Sequence, residues 1–106
     1  MTLDPEDSKL ITLARASRAR SGSDEGAAVR DETGRTYSAT DVALQALQLS
    51  AVQVAVAMAV SSGARSLEAA ALVTAGYGPS AADEAVAREL GVKALLVAGP
   101  DGTPRS

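Results

Sequence analysis

The stretch from residue 67 to residue 98 constrains the fold of this 106-residue chain more than any other part of the sequence. The apolar run 67–74 predicts a strand, residues 80–90 predict a helix, and residues 93–98 predict a second strand. A strand–helix–strand unit of this length is normally a right-handed crossover between parallel strands. The sequence therefore predicts an α/β domain with a parallel pair in its sheet.

A helix and a hairpin are predicted before this unit. Asp4 precedes a Pro in the way that is typical of a helix start, and the apolar spacing that follows predicts a helix over residues 5–20. Residues 27–30 and 36–39 flank a polar turn in which Gly34 supplies the positive φ that a hairpin needs. The first half of the chain therefore contributes an antiparallel pair.

A long apolar segment completes the order of elements. Residues 44–62 are apolar on nearly every face, which predicts a buried helix that ends at Gly63. The order is then α-β-β-α-β-α-β, and the tail 100–106 is a candidate fifth strand. We expect one domain over residues 1–106, a three-layer α/β/α architecture in which the hairpin and the parallel pair share one mixed sheet.

The chain lacks four residue types that carry much of protein chemistry. It has no Cys, no His, no Trp and no Phe. It therefore offers no thiolate or imidazole ligand for zinc, no disulfide, and no Ser-His or Cys-His nucleophile pair. We expect no metal and no cofactor, and any catalysis would depend on carboxylates, hydroxyls, Lys or Arg.

Charge and hydropathy limit the partners. The net charge is -3 and the sequence pI is about 4.8, which argues against nucleic acid. The basic residues from Lys9 to Arg20 are interpreted as the solvated end of a helix. The longest apolar stretch, 47–60, is too short and too interrupted to span a membrane, and no export signal opens the chain. We therefore expect a cytoplasmic protein.

The apolar residues are mostly small, and this favours self-association. A core rich in Ala removes little apolar surface from water, so further burial against a second copy would add stability. A helix over 47–60 that is apolar on every face needs a cover on its outer side. Ala51, Ala55 and Ala59, at i, i+4 and i+8, are the predicted surface for close approach of the same helix from another chain.

Several short segments resemble, in order, segments of the cytidine deaminase family. They are Gly26–Val29 with Asp31–Gly34 and Arg35–Tyr37 in the hairpin, Ala55–Gly63 at the end of the long helix, Pro79–Asp83 with Val86–Leu90 in the next helix, and Leu95–Gly102 after it. The resemblance covers most of the chain and implies the cytidine deaminase-like fold. It also implies self-association as a dimer or tetramer, because the small zinc-dependent members of the family are homotetramers that pack near their central helices.

The zinc site of the family is not retained at the matching positions. Active members hold zinc with a Cys or His at the central helix and the two Cys of Pro-Cys-x-x-Cys, and a Glu moves protons. The ligand positions fall here on Ser50, Ser80 and Asp83, and the Glu position falls on Val52. Ser is a poor zinc ligand and Val cannot carry a proton. The resemblance thus implies a degenerate member without metal or catalytic residues, and we expect that it is not an enzyme.

Other polar residues near this region have two interpretations each. Asp41 is either the N-cap of the long helix or the remnant of a ribose contact, and Tyr77 either plugs the former pocket or stacks on a ligand. Ser50 is placed inside the predicted helix, where it is expected to bond back to a preceding carbonyl. Asp83 and Glu84 are expected to stabilise the first turn of their helix.

Two functions from different classes follow. The first is a non-catalytic, homo-oligomeric scaffold or interaction module with no protein partner identified other than itself. The alternative is a zinc-independent regulator that binds a nucleoside or nucleotide in the degenerate pocket. A third possibility is an enzyme with residual cytidine deaminase-type hydrolysis or some other chemistry.

Overall fold

A computed structural model describes residues 3–105 of the chain. Three helices and six strands follow one another in this part of the chain: α1 (Pro5–Ser21), β1 (Glu25–Asp31), β2 (Thr36–Thr40), β3 (Val42–Ala43), β4 (Gln48–Leu49), α2 (Ala51–Ser61), β5 (Leu67–Thr74), α3 (Ala81–Glu89) and β6 (Leu96–Ala98). The predicted mixed α/β fold is confirmed. The additional short strands β3 and β4 pair only with each other.

The sheet is mixed, as its sequence pattern predicts. Its order is β2-β1-β5-β6, with β1 antiparallel to both neighbours and β5 parallel to β6. The hairpin turn between β1 and β2 is held by the Asp31 carboxylate, which accepts hydrogen bonds from the backbone N–H groups of Thr33 and Arg35. Gly34 has a φ of 89°, so this position needs Gly. This confirms the predicted hairpin and the parallel crossover.

Helices cover both faces of the sheet. On one face α1 buries Leu10, Ile11 and Ala14 against β1, β5 and β6. On the other face α2 and α3 form a second apolar cluster with the same sheet, in which Val52 and Leu72 are the largest wholly buried members alongside Val29. The three predicted layers are therefore present. The mostly small side chains allow both helix layers to lie close to the strands.

The first helix follows its sequence signals closely. The Asp4 side chain accepts a hydrogen bond from the backbone N–H of Glu6 at 2.8 Å, and Pro5 opens the helix. Gly22, with a φ of 69°, closes it by donating its N–H to Arg18. The predicted range 5–20 differs from the observed helix by one residue.

The long helix begins later than predicted. The sequence predicted helix from residue 44, but residues 42–49 form the small β3–β4 hairpin and α2 begins at Ala51. The reason is Ser50, which caps the helix instead of lying inside it. An apolar run shows that a helix is favoured, but the cap decides where the first turn can start.

The predicted contact face of this helix is also wrong. Ala51, Ala55 and Ala59 are wholly buried within the chain's own core, so they are not available to a second copy. The large apolar side chains that this helix exposes are instead Met58 and Val60. A helix that is apolar all round has no sequence signal for which side meets the sheet, and the packing of the strands decides it.

The chain beyond α3 departs from its prediction at two places. The strand predicted over 93–98 is shorter, because only residues 96–98 pair with β5. The proposed fifth strand over 100–106 is a single antiparallel bridge between Pro104 and Ala98, and Ser106 lies outside the described residues. Within residues 3–105, no helix is both long enough and apolar enough to cross a membrane.

Candidate active site

The N-terminal ends of α2 and α3 meet at a pair of polar side chains. The Ser50 hydroxyl donates a hydrogen bond to Oδ1 of Asp83, with 2.5 Å between the two oxygens. Ser50 precedes α2 and Asp83 lies in the first turn of α3. Their bond therefore joins the starts of two helices through residues that are 33 positions apart in the sequence. We call Ser50, Ser80 and Asp83 the helix junction.

Each of the two helix starts is a capping box. Oγ of Ser50 accepts the N–H of Gln53, and the Gln53 side chain accepts the N–H of Ser50. Oγ of Ser80 accepts the N–H of Asp83 at 3.1 Å, and Oδ2 of Asp83 accepts the N–H of Ser80 at 3.2 Å. Reciprocal bonds of this kind satisfy donors that a helix start otherwise leaves free. In both boxes the two side chains are three positions apart in the sequence, which is the spacing of a capping box.

Asp83 is the central member of the junction. Its side chain is 2% exposed, and each carboxylate oxygen accepts a hydrogen bond, one from Ser50 and one from Ser80. The partial positive charge at the start of α3 further favours a carboxylate there. The prediction that Asp83 and Glu84 lie in the first turn is confirmed, and Asp83 in addition ties α3 to α2.

A second carboxyl group faces the junction from β1. Burial raises the pKa of Glu25, and the negative charges of Asp83 and then Asp41 raise it further. Hydrogen bonding to the backbone of Ala51 and to the Thr74 side chain partly offsets this increase. Glu25 pairs with Thr74 across the β1–β5 ladder, which brings the end of β5 to the same place. The strand ends therefore complete a site of carboxyl and hydroxyl groups.

Neither of the two candidate ligand-binding residues, Asp41 and Tyr77, has the structural role that was predicted for it. Asp41 does not cap α2, since Ser50 does; its Oδ1 accepts a hydrogen bond from the N–H of Glu25 at 3.4 Å. Tyr77 is wholly exposed in the loop between β5 and α3, so it does not plug a pocket. Ser50 does not bond back to a preceding carbonyl, because its hydroxyl donates to Asp83 instead.

The residues predicted at the zinc-ligand positions, Ser50, Ser80 and Asp83, do not fit a zinc ion. The hydroxyls of Ser50 and Ser80 are cap acceptors, and both oxygens of Asp83 are engaged. Zinc in proteins takes thiolate, imidazole or carboxylate ligands, usually three or four together. Residues 3–105 contain no group of three or more Asp, Glu, His or Cys side chains that could hold a metal ion. Val52, at the proton-carrying position, is completely buried among apolar side chains.

Sequence reasoning missed Glu25 and Thr74. Glu25 precedes the strand predicted over residues 27–30, whereas in the structure it is the first residue of β1. The opposing position of Thr74 depends on strand register, which no local pattern of the sequence reveals. In contrast, the pattern from Ser50 to Gln53 is a capping-box signature that would have placed the start of α2.

Three comparisons relate the chain to known proteins. A family model described as cytidine deaminase-like matches residues 3–102. The solved cytidine deaminase of Burkholderia pseudomallei is 27% identical, with a TM-score of 0.77 over 92% of this chain and 87% of that one. The cytidine deaminase of Mycobacterium tuberculosis is 26% identical, with a TM-score of 0.73 over 96% and 90%. A comparison with curated proteins finds no match.

These comparisons correct one prediction. The chain was expected not to be an enzyme, because the zinc ligands and the catalytic Glu are missing from the matching positions. That expectation is wrong: the solved structures to which the chain is similar are cytidine deaminases, which are enzymes, and the likeness extends over nearly the whole chain. The absence of one set of catalytic groups excludes one mechanism and leaves other acid–base groups in place.

Proposed function

Because the chain belongs to the cytidine deaminase-like family, we propose that it is a nucleoside-binding enzyme that works without zinc and uses Glu25 as its acid–base group. The observation that carries this proposal is the half-buried Glu25 carboxyl, which lies beside the start of α2 and feels the charge of Asp83. The residues at the matching zinc-ligand positions, the helix junction, lie at the same place.

Glu25 is better suited to proton transfer than Asp83. A carboxyl group whose pKa is raised keeps its proton to higher pH than an ordinary carboxyl group, which favours its use as a proton donor and acceptor. The causes of the raised pKa of Glu25 are burial and two neighbouring carboxylates, which is the arrangement found at acid–base sites. The Asp83 carboxylate is already engaged by the Ser80 N–H in the cap of α3 and by the Ser50 hydroxyl, so its part is to set the charge that Glu25 feels.

Asp41 and Tyr77 are the proposed contacts for the ligand. The Asp41 carboxylate lies next to the backbone of Glu25 and is partly exposed, so it can accept hydrogen bonds from ribose hydroxyls. The Tyr77 ring lies between two Gly residues and is free on all sides to stack on a base. Both residues belong to loops or strand ends that adjoin the carboxyl groups.

The reaction is expected to be slow. In zinc enzymes the metal lowers the pKa of its bound water to about 7, and no side chain of the helix junction replaces that function. A general acid–base group alone contributes a factor of about 10² to 10⁴. An amino-substituted pyrimidine nucleoside is the expected substrate class. Water adds to the amino-bearing ring carbon as Glu25 donates its proton to the adjacent ring nitrogen; the Glu25 carboxylate takes up a proton from that water and passes it to the amino group, which leaves as ammonia.

The test combines binding with turnover. Cytidine, deoxycytidine and a purine nucleoside are each added to the protein, and the melting temperature and released ammonia are measured in the presence of a chelator. The chelator suppresses any contaminating zinc deaminase. A bound nucleoside raises stability by RT ln(1 + [L]/Kd). We expect Glu25→Gln to retain the melting shift and lose ammonia release, whereas Asp24→Asn, an exposed neighbour, retains both.

Two results would contradict the proposal. If no nucleoside raises the melting temperature at millimolar concentration, the site does not bind this class of ligand. If ammonia release in chelator is the same for Glu25→Gln as for the unmodified protein, another group carries the proton.

We further propose that the chain forms a homo-oligomer through the outer side of α2. The supporting observation is an open, mainly apolar groove of about 520 Å³ between α2 and α3, lined in part by Val56, Val60 and Leu90. Val60, which is 48% exposed, is part of this apolar surface. Contiguous exposed apolar surface of this kind marks interaction sites. Light scattering should give a mass above that of one chain, and Val60→Glu should reduce it; a monomer at micromolar concentration would contradict the assembly.

A further inference from the structure

Taking the proposed acid–base function as its basis, we infer that Arg105 is a positioning residue that fixes the turn after β5 and, through Thr74, the surroundings of Glu25. Its guanidinium donates to two backbone carbonyls of that turn: Nη2 to Thr74 at 2.8 Å and Nη1 to Gly76 at 2.6 Å. These bonds join residues about 30 positions apart in the chain. The contact lies beside the proposed site and outside its reacting groups.

The two carbonyls belong to a turn that also involves the Thr74 side chain. Thr74 Oγ1 accepts a hydrogen bond from the N–H of Gly76 at 3.0 Å, so the hydroxyl and the turn fix each other. Thr74 is buried and lies opposite Glu25 in the β1–β5 ladder. The pairing places the Thr74 side chain beside that of Glu25 on the sheet, and the Thr74 side chain acts to lower the pKa of the Glu25 carboxyl. Movement of this turn would therefore move a group that acts directly on Glu25.

The two carbonyl acceptors suit an arginine side chain, and the backbone of Arg105 is held in place. A planar guanidinium presents several N–H donors in a fixed fork and can bridge two acceptors at once, which a single ammonium group does less well. The Arg105 backbone is itself anchored, because its N–H donates to Val97 at 2.7 Å and its neighbour Pro104 bridges to Ala98. Arg105 thus links the end of β6, through its backbone, to the turn after β5, through its guanidinium.

The exposed position of Arg105 makes it suitable for substitution. Arg105→Gln removes the fork, and Arg105→Lys keeps the charge but has a single donor group. Arg15→Gln is the matched control, because Arg15 also donates to a backbone carbonyl of the same terminal segment, that of Pro100, without touching the turn. In each variant, amide exchange of Gly76 and the pKa of Glu25 are measured by nuclear magnetic resonance.

We expect Arg105→Gln to speed Gly76 amide exchange about fivefold to tenfold and to raise the pKa of Glu25 by about 0.5, the effect of weakening one hydrogen bond to a carboxylate. Arg105→Lys should fall between this variant and the unmodified protein. Arg15→Gln should change neither value. In a Thr74→Val background, Arg105→Gln should no longer change the pKa of Glu25, because the connecting hydroxyl is gone.

Failure of this inference differs from failure of the proposed function. If Arg105→Gln leaves both Gly76 exchange and the Glu25 titration unchanged, Arg105 does not position the site, whatever the activity. If both values change while no nucleoside is bound or converted, Arg105 positions Glu25 and the proposed function is wrong. An equal change of the Glu25 titration in the Thr74→Val background would also overturn the inferred route.

Discussion

Replacing Asp83 with Ala should strongly destabilise the chain, because one buried carboxylate completes the cap of α3 and also binds the Ser50 hydroxyl that caps α2. The side chain is 2% exposed and accepts hydrogen bonds from the Ser50 hydroxyl and the Ser80 N–H. In Asp83→Ala both donors lose their acceptor, and the Ser50 hydroxyl is half-buried, so water replaces the carboxylate only in part. Loss of a charged acceptor at such a position costs free energy.

The size of the effect follows from these contacts. A hydrogen bond to a charged group contributes about 1.5–3 kcal/mol, and a lost helix cap costs about 1 kcal/mol. One charged bond from Ser50 together with one lost cap gives about 2.5–4 kcal/mol. In a domain of this length, 1 kcal/mol changes the melting temperature by about 4–8 °C. We therefore expect a fall of roughly 10–32 °C.

Urea unfolding followed by circular dichroism measures this free energy directly. Glu84→Ala is the matched control: Glu84 lies in the same first turn of α3 but is exposed, so its loss should cost only about 0.3–1 kcal/mol. If Asp83→Ala loses no more stability than Glu84→Ala, the carboxylate does not join the two helices. The reasoning about the helix junction would then be refuted.

Three further predictions concern the core, the hairpin turn and the lack of Cys and His as zinc ligands. Ala55→Glu should abolish folding as seen by circular dichroism, because it places a charge in a wholly buried position; folded monomers of this variant would instead locate Ala55 at a subunit contact. Hydrogen bonds from the Thr33 hydroxyl and nearby donors lower the pKa of Asp31 from 3.8. A lowered folded-state pKa contributes stability above pH 3.8 that is lost as the pH falls through the folded-state value, so Asp31→Asn should be more destabilising at pH 7 than at pH 3; equal losses at both pH values would contradict this. Chelator should leave the melting temperature unchanged, since the chain has no Cys or His; metal analysis finding one zinc per chain would show that oxygen donors bind it.

The sequence alone determined the elements whose signals are local. Asp4 and Pro5 place the start of α1, and Gly34 places the hairpin turn, because capping and positive φ are properties of a few neighbouring residues. The strand–helix–strand run also determined the parallel pair, since chain connectivity leaves one common handedness. The resemblance in short segments then led to the correct family.

Tertiary structure decided what depends on contacts between distant elements. The apolar helix α2 has no strongly polar side, so only its packing on the sheet fixed that Ala55 faces inward and Met58 outward. Strand register brought Glu25 opposite Thr74, and helix packing brought Ser50 to Asp83. The sequence lists these polar residues as separate caps and loop positions. They become one candidate site only when four elements, β1, β5, α2 and α3, fold against each other, because carboxyl groups change one another's pKa only at short range.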